Sequence, residues 1–220
     1  MTEYDAVVFD NDGVLVELTS MDVLRDAIRA AFADVGVDEP DQRHVELAAD
    51  HEDLDGLAAI ESTYGVSLEE YWPARERRAI EYQRELIRGE GKPPYDDLHR
   101  ITDLDAALGV VSNNQQATVE RIVAEYGLHD AVETVHGRTP TVAGARRCKP
   151  DTYYLDAALE DLGTRDALYV GDSESDVVVA QRAGIDSVYL RRPHRAGAEL
   201  SVEPTYEFES LAALVDALEK

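Results

Sequence analysis

The chain has 220 residues, with 46 Asp and Glu against 21 Lys and Arg, and a net charge of −25 at pH 7. This length fits one large domain or a core with a modest second lobe, and no apolar run approaches the roughly 18 residues of a membrane span. So acidic a surface repels nucleic acid and anionic lipid, so neither is expected as a partner, and the lone cysteine, Cys148, excludes an internal disulfide.

The opening residues carry no basic segment followed by a long apolar one, so no signal peptide is read there and a cytoplasmic location is expected. The first strand is the apolar run Ala6-Val7-Val8-Phe9, which enters a tight loop at Asp10-Asn11-Asp12-Gly13. From about residue 18 to 88 the pattern is mostly helical. Met21, Leu24, Ile28 and Phe32 recur at helical spacing, as do Leu54, Leu57, Ile60 and Tyr64. Gly36 and the segment around Pro40 separate the first helix from the next, and Gly89, Gly91, Pro93 and Pro94 stop the last.

The period then changes. Strands are predicted at 108–112, 132–135, 167–170 and 187–190, and helices at 115–126, 152–162, 173–183 and 211–218. Strands alternating with helices predict an α/β fold, a doubly wound parallel sheet in a Rossmann-like core. Residues 1–15 and 91–220 form this core in the sequence reading, and residues 16–90 form an all-helical insert. An insert at that point is expected over the carboxyl ends of the strands, where such sheets bind ligands.

The strand ends are unusually polar. Asp10 and Asp12 follow the first strand, Ser112 and Asn113 the second, and Asp172 and Asp176 a later one, while Lys149 precedes Pro150. Asp10 and Asp12, two apart where strand becomes loop, both face one pocket in this reading. Clustered carboxylates suit a hard cation such as Mg²⁺. A pair of like unit charges about 4 Å apart repels by roughly 4 kcal/mol at an effective dielectric of about 20. A carboxylate attacking a phosphate dianion therefore faces about 8 kcal/mol, or about six decades of rate, which Mg²⁺ and Lys149 offset.

These residue types assign roles. Asp10 is the nucleophile that forms an aspartyl-phosphate. Asp12 protonates the leaving oxygen and later deprotonates the hydrolytic water, a task calling for a pKa raised toward neutrality by a neighbouring carboxylate. Ser112 and the Asn113 backbone N–H bind phosphate oxygens, Lys149 neutralises the phosphoryl group, and Asp172 completes the metal shell. Asp176 holds the metal water or Lys149 from behind.

The set Asp10-x-Asp12-Gly13-Val14-Leu15, Val110-Val111-Ser112-Asn113, Lys149-Pro150 and Gly171-Asp172-Ser173-x-x-Asp176 resembles the haloacid dehalogenase superfamily of aspartyl-phosphate phosphatases, in order over residues 6–190. The resemblance implies that Asp12 adds its backbone carbonyl to the metal, beside the side chains of Asp10 and Asp172. It also implies a small helical cap like that of phosphoglycolate phosphatases and β-phosphoglucomutases. Val14 stands where the family often has Thr, and Glu17-Leu18 where it often has Asp-Ser. The reading is a Mg²⁺-dependent hydrolase of a small anionic phosphate ester, phosphoglycolate or a sugar phosphate, acting as monomer or homodimer. The alternatives are a 2-haloacid dehalogenase, a phosphosugar mutase and a phosphoryl-accepting module. Asp12 argues against the first, since attack on carbon needs no acid there.

Other features read as structural. Arg138, Arg146 and Arg147, and the patch Arg191, Arg192, His194 and Arg195, are expected mainly in surface salt bridges. Arg75, Arg77 and Arg78 are expected on a solvated helix face, Tyr71 and Trp72 in the insert's core, and Cys148 as a small buried side chain. The six histidines make no ligand-spaced cluster, so no zinc site is assigned. Calcium loops at 10–21 and 51–62 fail, because Met21, His51 and Ser62 stand at essential ligand positions.

Spread along the chain, the acidic residues predict a solvated surface adapted to high salt, where screening relieves self-repulsion. The melting temperature should rise between dilute buffer and molar KCl. Unchanged melting would refute the adaptation.

Overall fold

The computed structural model describes residues 3–50, 54 and 56–219. The rejected calcium reading at 51–62 and the lysine at 220 fall wholly or partly outside these residues. Spatial proximity divides the chain into two units. One comprises Met1–Leu18, Lys92–Arg138 and Arg147–Lys220, and the other Thr19–Gly91 and Thr139–Arg146.

The first unit is built on six parallel strands, β1 (Ala6–Phe9), β2 (Ala107–Gln115), β3 (Val132–Arg138), β4 (Ala167–Gly171), β5 (Asp186–Leu190) and β6 (Tyr206–Phe208). Their order in the sheet is β3-β2-β1-β4-β5-β6, the doubly wound arrangement expected from the alternating pattern. β1 pairs in register with β2 on one side and β4 on the other. All four of its residues are therefore buried, which explains why it reads as a continuous apolar run.

Alternation assigns its side chains to two cores. Val7 and Phe9, with Leu108, Val110, Leu168 and Val170, pack in a cluster with Val119, Val123, Leu211 and Leu214. Ala6 and Val8, with Ala167 and Tyr169, pack in another with Leu155, Ala158, Leu159, Val179 and Ala180. The packed helices are α5 (Gln116–Glu125), α7 (Tyr153–Leu162), α8 (Glu174–Ala183) and α9 (Leu211–Leu218), all anticipated within a residue or two. Strand β6 was not anticipated.

The second unit contains α1 (Met21–Asp34), α2 (Gln42–Asp50), α3 (Ala58–Tyr64) and α4 (Leu68–Arg88). Ser20 caps α1, and Ser67 with Glu70 forms a capping box on α4. Ile28 and Phe32 of α1 meet Tyr71 and Trp72 of α4 in one apolar cluster, with the Phe32 and Tyr71 rings 4.6 Å apart. Thr139–Arg146, which the sequence reading put in the core, goes with these helices because α6 (Val142–Ala145) contributes Ala145 to their cluster.

Tyr71 and Trp72 thus lie in the insert's core as expected. Arg75 does not lie on a solvated face: it is buried, pairs with Glu76 at 2.5 Å and donates Nε to the Ala48 carbonyl at 3.1 Å. Arg77 and Arg78 both reach Asp34. No helix of the described residues is long and apolar enough to cross a membrane.

Leu155 is fully buried beneath the sheet, so Leu155→Ala should destabilise the chain by about 2–5 kcal/mol. The shift in urea midpoint measures this, and a loss below about 1 kcal/mol would contradict the packing described.

Candidate active site

The polar strand ends converge on one edge of the sheet unit. β1 delivers Asp10, whose backbone N–H donates to the Val170 carbonyl at 2.8 Å and so ties it to β4. β4 ends at Gly171, leading into Asp172 and helix α8. On β2 the pairing with β3 slips between Val111 and Gln115, so Ser112, Asn113 and Asn114 leave the regular ladder there.

Lys149 stands at the centre. Its Nζ lies 2.8 Å from Asp10 Oδ1, 2.7 Å from Asp176 Oδ1 and 2.9 Å from the Tyr169 hydroxyl. Burial alone disfavours its charge, but Asp10 and Asp176 more than offset that and hold its pKa well above the ordinary lysine value. Its backbone is fixed by Asn113, whose Oδ1 accepts the Lys149 N–H at 2.7 Å. Arg138 is buried behind this contact and donates Nε to the Asn113 carbonyl at 3.1 Å, so it is not a surface salt bridge.

Asp176 has two tasks. Its Oδ1 holds Lys149, and its Oδ2 accepts from the Ser173 N–H at 3.0 Å and the Asp172 N–H at 3.1 Å, forming the capping box of α8. A Cβ on Gly171 would lie 2.2 Å from the Asp176 Cβ, so glycine is what allows the carboxylate this close. Gly13 has φ +83°, and a Cβ there would lie 2.6 Å from Asp172 Oδ2. Both motif glycines make room for motif carboxylates.

Asp10, Asp172 and Asp176 are all buried, and one oxygen of each lies within 4.8 Å of the others. Three carboxylates so close, with Lys149 bonded to two of them, form an oxygen-rich, electron-rich donor set that fits a hard divalent cation. Asp172 Oδ2 is also met by His194 Nε2 at 2.6 Å and Arg195 Nε at 2.8 Å. Of the remaining two members of that basic patch, Arg191 pairs with the exposed Glu207 as expected, whereas Arg192 is buried and pairs with Asp97 rather than making a surface salt bridge.

Asp12 has a different environment. Its Oδ1 pairs with the fully buried Lys92, and its Oδ2 accepts from Asn114 Nδ2 at 2.8 Å and Asn11 Nδ2 at 3.0 Å. Burial pushes its pKa up, yet Lys92 and the two amides outweigh burial and hold it below the ordinary value. The sequence reading required a raised pKa here. The carboxyl that is raised is Asp10, pushed to about 7 by burial and by Asp176 and Asp172 against the opposing Lys149.

Ser112 is buried, and its Oγ accepts the Asn114 N–H at 3.2 Å, linking it to the residue that holds Asp12. Cys148 is half-buried beside Lys149. The sequence reading missed Lys92, Asn11, Asn114 and Tyr169. A signal for Lys92 was present: it is one of three lysines in the chain. The two asparagines lie inside or beside motifs already recognised. A separate cavity of about 550 Å³ lies in the helical unit between Pro73, Glu76, Arg77, Arg84 and Pro140, and none of these belongs to the carboxylate cluster.

The structure thus joins a parallel sheet, an aspartate at the end of its central strand β1, a buried lysine from the segment before α7 and a carboxylate cluster. Residues 7–190 match the family model described as haloacid dehalogenase-like hydrolase, and the chain belongs to that family. It is therefore an enzyme of the hydrolase class.

The chain is similar to a phosphoglycolate phosphatase of Rhodospirillum rubrum, 28% identical over 97% of this chain and 90% of that one. It is 30% identical to a phosphoglycolate phosphatase of Psychrobacter arcticus over 51% of this chain, a match spanning about half that relative's length (49%). Its fold matches the crystal structure of CbbY from Rhodobacter sphaeroides in complex with phosphate, with TM-score 0.70, 18% identity, and coverage of 99% of this chain and 100% of that one.

The raised pKa of Asp10 has a consequence for stability. Its folded value of about 7 exceeds an unfolded value near 4, so the folded chain holds an extra proton between those limits. The resulting stabilisation is complete below about pH 4 and lost as pH rises through 7. In EDTA, the native chain should lose a few kcal/mol relative to Asp10→Asn between pH 5 and pH 8. Urea midpoints at the two pH values check this, and parallel behaviour of the two chains would contradict it.

Proposed function

We propose that this hydrolase is a Mg²⁺-dependent phosphatase of small phosphate monoesters, working through an aspartyl-phosphate on Asp10. The observation that carries the reading is the Lys149 ammonium within 2.8 Å of Asp10 and 2.7 Å of Asp176. A buried positive charge beside the Asp10 carboxylate supports the approach of a phosphoryl group to it. The relatives named phosphoglycolate phosphatase support a small anionic ester, phosphoglycolate or a sugar phosphate, as substrate.

Each side chain has a task. Asp10 attacks phosphorus and displaces the ester oxygen. Lys149 draws charge from the phosphoryl oxygens, and Ser112 with the Asn113 N–H holds those oxygens in line. Asp10, Asp172 and the Asp12 backbone carbonyl, with Asp176 behind them, would hold Mg²⁺, whose charge would favour ionised Asp10 and offset its repulsion from the phosphate dianion.

Asp12 is the acid–base. In the ligand-free chain Lys92, Asn11 and Asn114 favour its ionised form, the form that accepts a proton from the hydrolytic water. The arriving dianion adds negative charge beside Asp12 and favours the protonated form that serves the leaving oxygen. Lys92, bonded to Asp12, therefore favours the form used in the second proton transfer.

Phosphate release from 2-phosphoglycolate and from sugar phosphates should require Mg²⁺ and stop in EDTA. Asp10→Asn should lower kcat by at least about 10⁴-fold. Near-native turnover by Asp10→Asn would refute the role of Asp10, and chloride release from a 2-haloacid in EDTA would refute the reaction class.

A further inference from the structure

Two basic side chains converge on an acidic atom that the proposed chemistry needs for something else. Asp172 is buried, and its Oδ2 is met at once by His194 Nε2 at 2.6 Å and Arg195 Nε at 2.8 Å. Both donors come from the short 3₁₀ turn Pro193–Arg195 that follows β5, the strand paired with β4. The side chain of Asp172 is 3% exposed, whereas those of His194 and Arg195 are 22% and 36% exposed. The pair therefore runs from the carboxylate cluster out to solvent.

The Tyr95 hydroxyl lies 3.2 Å from His194 Nδ1. With the Tyr95 hydroxyl donating to Nδ1, Nε2 carries a proton facing Asp172, so His194 serves as a donor there. Arg195 brings a permanent charge and further N–H groups beyond the one that Asp172 uses.

The carboxylate set that fits a divalent cation includes Asp172. A cation drawing on Oδ2 competes for the same lone pairs with His194 and Arg195. Each donor that loses this partner is left at the rim of the cluster with its positive or N–H face unmatched. In a chain of net charge −25, a cation next to an anion-binding site is the main local attraction for a second negative group.

Resting on the phosphatase reading above, we propose that His194 and Arg195 form a displaceable anion-binding pair, held by Asp172 in this structure and transferred to a second negative group of the substrate. The substrate class is a phosphate ester whose alcohol part itself carries an anionic group, such as a carboxylate. The phosphoryl end belongs to Lys149, and the other end to Arg195 and His194. The pair thus contributes specificity as well as charge balance beside Asp172.

The test uses equilibrium binding, so it does not depend on turnover. In the full chain carrying Asp10→Asn with Mg²⁺, calorimetry compares 2-phosphoglycolate with glycerol 1-phosphate, whose alcohol part is uncharged. Adding Arg195→Gln should weaken 2-phosphoglycolate about tenfold relative to glycerol 1-phosphate, the order expected for one charge-assisted contact. Arg195→Lys should recover part of that preference, and His194→Gln should lose a smaller share. In a chain with native Asp10, Arg195→Gln should also bind Mg²⁺ more tightly, because a competitor for Asp172 is gone.

Equal weakening of both esters, or of neither, overturns the proposal. So does Mg²⁺ affinity that is unchanged or lower in Arg195→Gln. Failure of the native chain to release phosphate from any ester overturns the phosphatase reading instead, and that outcome is read independently of the binding ratio.

Discussion

The buried ammonium of Lys149 between Asp10 and Asp176 is the contact on which the site depends. Without it, three carboxylates within 4.8 Å of one another would have to be protonated or driven apart. With it, Asp10 can stay beside the strand end where the backbone holds it. The surrounding contacts serve this one: Asn113 fixes the Lys149 backbone, Arg138 fixes Asn113, and Tyr169 closes the remaining side of the ammonium. Asp10 and its counter-charge are thereby held in place by the fold itself, and under the proposed function this is the preorganisation that electrostatic catalysis requires.

A second ion pair divides the labour between the two motif aspartates. Asp10 and Asp12 are two residues apart, yet one is pushed up toward neutrality and the other is held down. The difference lies in their partners. Asp10 shares its lysine with Asp176 and feels Asp172, whereas Asp12 has Lys92 and two amides. Identical side chains thus acquire opposite proton affinities from charges brought in by distant segments.

The sequence made the sheet legible because burial on both faces imposes an unbroken apolar run on β1 and β4, and because each strand end was marked by a change to polar residues. Strand β6 escaped notice: Tyr206, Glu207 and Phe208 are too few and too mixed to show a period, and only pairing with β5 makes them a strand. The strand was read as ending at Ser112 and a helix as starting near Gln115, whereas β2 extends to Gln115 through an irregular pairing. In the site, the groups inside motifs were legible because backbone geometry places them. Lys92 was not, since it lies 80 residues from Asp12 and only the tertiary fold joins them. Arg75 was misplaced for a related reason: its partners, Glu76 and the Ala48 carbonyl, let a guanidinium enter a core that helical spacing alone assigns to apolar residues.

The double bonding of Asp176 ties chemistry to architecture. One oxygen secures Lys149 and the other starts helix α8, which packs Val179 and Ala180 beneath the sheet. A descendant of this chain that drifted toward inactivity could not discard the carboxylate freely, because the helix start would fray with it. Ancestral catalytic residues would then persist in lineages that no longer use them, preserved by folding alone.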